Sequence, residues 1–432
     1  MSSSDQAGPG APTGAVTIAQ ARRGLLVLCA TVTISYGALF YAFPVLSTAI
    51  AADTGWSITV ITAFFSGSQV VAGLAGIAVG RRLQRHGPRP VMTMAALLAP
   101  PALVAIAAAP GPAVFGAAWL VAGFAMAGLF YPPAFAALTS WYGAGRVRAL
   151  TVLTLVAALA STVFAPLTAS LEVMFGWRGA YLVLAAVMTV TVVPLHTFAL
   201  PRPWRTASES EHAASDEVVA QVVRSRAFWS LTASLGLGTL TVQAVVVNLV
   251  ALLQSHGLTA TTAAWALGLG GVGQVLGRLV YGPLERRSRH VERSVAVLGA
   301  CALTTLLLAL VPGPSALVLL LALLAGTARG VLTLLKATAV SDRWGTTNYA
   351  ALNGVMQTPI MLSAALAPWA GAALAVPLGG YPAAFAVLAA LAGFAALIAT
   401  AGGSTPRSSP DARSTTRRRS ASPLPDTRRE NP

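Results

Sequence analysis

"ALTVLTLVAALASTVFAPLTASL" (residues 149–171) and "ALNGVMQTPIMLSAALAPWAGAAL" (residues 351–374) are apolar blocks that match at an offset of 202 residues. At that offset Ser161 falls on Ser363 and Pro166 on Pro368; elsewhere in the chain Gly80 falls on Gly282, and both of those glycines open a basic connection. An offset shared at separate places marks an internal duplication rather than chance likeness among Ala/Leu-rich helices. Apolar blocks of about 20 residues have the length an α-helix needs to cross about 30 Å of hydrocarbon. The repeated unit is therefore a set of membrane helices.

The rest of the chain extends that reading. Of 432 residues 56% are hydrophobic and only 9% charged, and the mean hydropathy is +0.71. A soluble protein of this length needs more charge to cover its surface. Twelve spans are expected, at 24–51, 57–79, 90–109, 113–138, 149–170, 180–199, 228–252, 262–284, 293–311, 315–339, 350–375 and 381–400. The polar connection at 200–227 divides them into halves at 24–199 and 228–400, flanked by a disordered lead (1–23) and a disordered basic tail (401–432). The fold class is an all-α polytopic membrane protein: twelve transmembrane helices in two pseudo-symmetric six-helix halves.

The net charge of +15 is distributed as a topology signal and not as a nucleic-acid footprint. Connections on one side carry Arg81, Arg82, Arg85 and Arg89, then Arg146 and Arg148, then Arg286, Arg287 and Arg289, whereas the opposite connections hold only Arg178. Positive charge is retained on the cytoplasmic side, so both termini are expected there, in a multi-pass protein of the cell (inner) membrane. The two cysteines, Cys29 and Cys301, lie in apolar blocks and suggest neither a disulfide framework nor a metal cluster. No motif of an enzyme stands in a plausible context, and neither cofactor nor metal is implied.

The stretch "GRRLQRHGPRPVM" (80–92) resembles the signature loop of the major facilitator superfamily. Gly80, Arg85, Gly87 and Arg89 match, while Gln84 stands where that pattern has an acid. Physically, Gly80 would let helix ends approach, Gly87 would permit a tight turn, and the arginines would pair with carbonyls at helix C-termini. That superfamily is built from two six-helix halves with the substrate site between them. "YAFPV" (41–45), "GW" (55–56), "GPR" (87–89) and "FGWRGAYLVLAAV" (175–187) resemble, more narrowly, the monocarboxylate porters and the related oxalate/formate exchangers.

Ionisable residues inside a membrane are costly and mark function by default. All thirteen acids fall in loops, in tails or at helix ends. Two cations lie well inside: Arg278 in the eighth span ("GVGQVLGRLVYG", 271–282) and Arg329 in the tenth ("LLAGTARGVLTLL"). A buried guanidinium without an acid needs carbonyls, water or an anionic ligand, and its planar donors match two carboxylate oxygens. Neutral groups available to complete a site are Gln274, Tyr41, Tyr131, Gln243 and Gln357, with Tyr36, Asn248 and Asn353 less favoured; all of them could equally brace neighbouring helices.

The narrower resemblance sharpens the roles. In monocarboxylate porters the eighth helix holds an acid and, four residues on, an arginine assigned to the substrate carboxylate; here those places are Gln274 and Arg278. Proton-coupled members follow "YAFP" with a lysine, and this chain has Val45. Exchangers add a lysine in the eleventh helix, which this chain lacks, so Arg329 would supply the second positive charge. The expected partners are a small organic anion of the monocarboxylate kind and the lipid bilayer, with the protein acting as a monomer by alternating access. An exporter of drugs or hydrophobic metabolites is the alternative, and a non-transporting membrane sensor a distant one.

Overall fold

The computed structural model describes residues 16–201, 216–345 and 349–401. Most of the expected lead, linker and tail thus lies outside the described residues. Among the described residues the chain folds almost wholly as helix, and eleven helical runs are long and apolar enough to cross a membrane. One of them, Arg148–Ala199, has 52 residues, or about 78 Å at 1.5 Å per residue, more than twice the hydrocarbon thickness. Gly176, at φ 68° and ψ 173°, breaks it, as a residue without a Cβ can. The run is two crossings, and the described residues hold twelve membrane helices.

These are α1 (Ile18–Thr54), α2 (Ile58–His86), α3 (Pro88–Ala107), α4 (Pro112–Tyr142), α5 (148–175), α6 (177–199), α7 (Arg226–Ser255), α8 (Ala260–Arg287), α9 (His290–Leu310), α10 (Ser315–Thr338), α11 (Tyr349–Ala375) and α12 (Tyr381–Ala401). A short helix, Asp216–Val223, lies in the expected linker. Several helices outrun their apolar blocks. The clearest is α2, which continues through the basic residues to His86 and stops only at Gly87, whose φ of 81° closes the turn. The loop expected from Gly80 to Arg89 therefore shrinks to a single residue, because Arg, Leu and Gln are good helix formers and nothing before Gly87 interrupts them.

Large apolar side chains such as Leu74, Val190 and Leu397 stay exposed, which is the outer surface expected where lipid replaces water. Within the first six helices α4 packs against α2 and α3; within the second six α8 packs against α10, and α12 against α7 and α9. The halves meet chiefly where α2 lies along α11 and α5 along α8, with the later part of α1 against α7. Two of those seams are pinned at related positions. Ser66 of α2 accepts from the Trp369 backbone N–H of α11 at 3.0 Å, and the Gly268 carbonyl of α8 accepts from the Thr162 hydroxyl of α5 at 2.9 Å. Positions 66 and 268 differ by the same 202 residues that relate the halves.

The tightest seam is between α8 and α10. A Cβ at Gly273 or Gly277 would strike the carbonyls of Leu323 or Thr327, and one at Gly326 or Gly330 would strike those of Gly270 or Gln274. Without a hydrophobic drive between helices in lipid, such backbone contact supplies the dispersion energy of association. Gly273→Leu or Gly330→Leu is expected to destabilise the protein by about 1–3 kcal/mol through overpacking, read as a lowered Tm in detergent. Gly299→Leu, on α9 where a Cβ meets open space, should leave Tm unchanged.

Candidate functional site

The close approach of α8 and α10 puts three polar side chains in one wall. Arg329, only 7% exposed, donates through Nη2 to Oε1 of Gln274 at 3.1 Å. Its Nε finds no protein acceptor. Beside it, between α7, α8, α9 and α10, is a cavity of about 30 Å³ whose lining includes Gly270, Cys301, Thr305 and Gly326, room for about one water. This cavity lies inside the second half and not between the halves.

Arg278 stands four residues after Gln274, one turn further along α8. It is half-buried, and it leaves its own half: Nη1 donates to the backbone carbonyl of Thr154 on α5. Its guanidinium also meets the Tyr131 hydroxyl from α4, and Tyr36 of α1 lies within its field. Its Nε has no protein acceptor. Among the described residues the ion pairs are Arg178–Asp53 and Arg293–Asp342; neither central arginine has an acid.

Local irregularities of the backbone set the opposite wall. Pro44 lacks the N–H that would reach the Phe40 carbonyl, and α1 accommodates this with a π-turn at Gly37–Tyr41, closed by Ala42 N–H to the Gly37 carbonyl. An i→i+5 closure brings residues five apart to one side, so Tyr36 and Tyr41 turn the same way. In α4 two successive prolines, Pro132 and Pro133, remove two further donors, and the helix breaks at Phe130 (φ −86°, ψ −166°). Tyr131 opens the next segment. Tyr36 then stacks on Phe130 at 3.9 Å and 11°, with Tyr131 4.9 Å away and Phe135 5.1 Å beyond it.

The model of the Major Facilitator Superfamily matches residues 28–358 and, overlapping, 240–431. The chain belongs to the major facilitator superfamily. It is a membrane transporter by family, not an enzyme. An uncharacterised 38 kDa protein from the 23S RNA operon of Thermoproteus tenax is 27% identical over 265 residues, 61% of this chain and 66% of that protein; the match thus spans a little under two thirds of the relative's length. Among solved structures, a bacterial homologue of the human lysosomal transporter Spinster, inward-facing and occupied, superposes with TM-score 0.73 at 13% identity, covering 89% of this chain and 97% of that one. The nucleoside transporter NupG, as a point mutant, gives 0.71 at 14% identity, covering 88% and 99%. At such identities these likenesses show the fold alone.

Set against this major facilitator fold, the expected residues sort themselves. Arg278, Arg329, Gln274, Tyr131 and Tyr41 come together. Gln243 is half-buried on α7, and Gln357 pairs with Asn353 on α11 at 3.4 Å; among the described residues neither bonds to an arginine. Asn248 braces helices, donating to the carbonyls of Ala244 and Pro368. In the signature stretch Arg89 donates to the Thr197 carbonyl at the end of α6, as expected of an arginine beside a helix C-terminus, while Arg85 is exposed and the Gln84 side chain lies outside what is described. One expectation is corrected: a Cβ at Gly80 would meet nothing within 4 Å, so this glycine serves no close approach. Tyr36, less favoured from sequence, belongs to the site. Its signal was Pro44, whose missing N–H the π-turn accommodates.

The Gln274–Arg329 pair has a measurable signature. Gln274→Leu strands a buried guanidinium and should cost about 1–3 kcal/mol; adding Arg329→Met should recover most of the lost Tm. Equal and additive losses would show the two side chains to be independent.

Proposed function

We propose that this transporter carries a small organic anion of the monocarboxylate kind, binding it at Arg278 between the halves. One observation carries the reading: Arg278 is a half-buried guanidinium without an acid, held for now by a neutral carbonyl of the opposite half. A guanidinium offers parallel N–H donors in one plane, and a carboxylate accepts two of them with charge as well as geometry. It outcompetes the single Thr154 carbonyl, so binding exchanges a bond between the halves for a bond to substrate. Arg329, anchored on Gln274, adds positive potential from behind. Tyr131 offers a hydroxyl beside the same guanidinium.

Alternating access follows as rocking of residues 24–199 against 228–400, joined by the linker at 200–227 and guided by the basic turn at Gly87–Arg89. On this reading the protein works as a monomer in the cell's inner membrane, and the arginine-rich connections favour a cytoplasmic side for both termini. With Gln274 and Val45 where proton-coupled relatives carry ionisable groups, the coupling we infer is exchange, facilitated movement, or a proton travelling on the substrate itself.

In proteoliposomes, Arg278→Ala should lower uptake of labelled carboxylates about thirtyfold or more, the cost of losing one partner of a desolvated charge pair. Arg278→Lys should fall between, since an ammonium lacks the planar fork. Undiminished uptake by Arg278→Ala would remove the site. In the same vesicles a protonophore should leave uptake of a fully ionised substrate unchanged, and preloading with counter-substrate should accelerate it; collapse on adding protonophore would establish a proton route the sequence does not display.

A further inference from the structure

We infer that the substrate's body is a flat aromatic ring, so that the transporter is selective for aryl carboxylates over aliphatic acids of similar size. The inference rests on the carboxylate reading of Arg278 and adds to it what lies opposite. Tyr36, Tyr131 and Phe135 form a continuous aromatic face on α1 and α4, with centroid spacings of 4.9 and 5.1 Å. Each keeps part of its surface uncovered. Their neighbours Phe40, Tyr41 and Phe130 are buried and back them: Phe130 covers one face of Tyr36 at 3.9 Å, and Tyr41 packs edge-on against Phe40 at 5.2 Å.

The two tyrosines sit at the seam between the halves, and Phe135 continues their ring series along α4. The Tyr131 hydroxyl meets the Arg278 guanidinium, which comes from the other half, and the Tyr36 hydroxyl lies in the field of the same group. Tyr36 and Tyr131 therefore stand across the seam from Arg278, where the proposed carboxylate would be held. A small aliphatic anion would leave that face unused. An aryl carboxylate places its charge on the guanidinium and its ring against rings, where offset or edge-to-face geometry adds attraction beyond the area buried. The ring positive edge and negative face give that contact a preference that a saturated ring of equal size cannot earn.

Benzoate and cyclohexanecarboxylate test this directly, having the same charge and similar volume. With the full chain in detergent or in vesicles, benzoate should bind about fivefold to tenfold more tightly, with acetate and oxalate weaker than both. Tyr36→Leu and, independently, Phe135→Leu should bring the two ring acids to near parity; two variants guard against one failing to fold. Equal binding of the two acids to the native protein, or a benzoate preference that survives both substitutions, overturns the aromatic inference and leaves the carboxylate reading standing. The converse failure has its own signature: if Arg278→Gln weakens none of the four acids, the carboxylate reading falls, and with it this inference.

Discussion

The glycine-lined contact between α8 and α10 is the constraint on which the site depends. Gly270, Gly273 and Gly277 on one helix and Gly326 and Gly330 on the other let backbone lie on backbone. In lipid, where burying apolar surface between helices gains little, association depends on that closeness. Closeness also decides chemistry. It brings Gln274 within 3.1 Å of Arg329, so that a charge which would be costly in hydrocarbon is partly satisfied by a neutral amide. Arg329 can then lie buried without an acid, and Arg278, one turn from Gln274, is left free to reach out of its own half.

Arg278 reaches across a seam that is otherwise small and weakly polar. At one level of the molecule the halves are tied by related pins, Ser66 to Trp369 and Thr162 to Gly268. These are neutral hydrogen bonds, each of modest net strength. The Arg278–Thr154 contact has no counterpart on the other seam, since position 76 is glycine. A ligand that captures Arg278 thus acts on one seam only. Such asymmetry gives binding a differential effect on two arrangements of the halves, which is what a ligand needs in order to shift a conformational equilibrium.

Much of this was legible before any coordinates. Span count followed from apolar length, and the repeat from one offset. The depth of Arg278 and Arg329 followed from their position within their spans, and Gln274 from the resemblance to monocarboxylate porters, whose eighth helix has an acid at that place. What escaped was local backbone behaviour. Apolar blocks mark where lipid begins, not where a helix ends, so α2 ran on to Gly87 through residues counted as loop. The π-turn at Gly37–Tyr41 and the break at Phe130 both arise from prolines whose missing N–H groups must be accommodated somewhere, and composition does not say how. Tyr36 was undervalued for that reason. The Thr154 carbonyl was invisible in principle, because a backbone acceptor carries no mark in the sequence.

The duplication gives the site its last property. At the 202-residue offset, Arg278, Arg329 and Gln274 fall on Gly76, Ala127 and Ala72, while Tyr36, Tyr41 and Tyr131 fall on Gly238, Gln243 and Thr333. Charge therefore resides in one half and aromatic surface in the other, although both halves share one architecture. In the proposed site, neither wall is complete by itself. A ligand with a charged end and an apolar body is satisfied only when both walls reach it, and its binding energy is then available to hold the halves together. In a symmetric site with both chemistries in each half, either half could hold the ligand alone and closure would gain nothing. Under the proposed binding mode, division of labour between two copies of one fold would make occupancy and closure the same event.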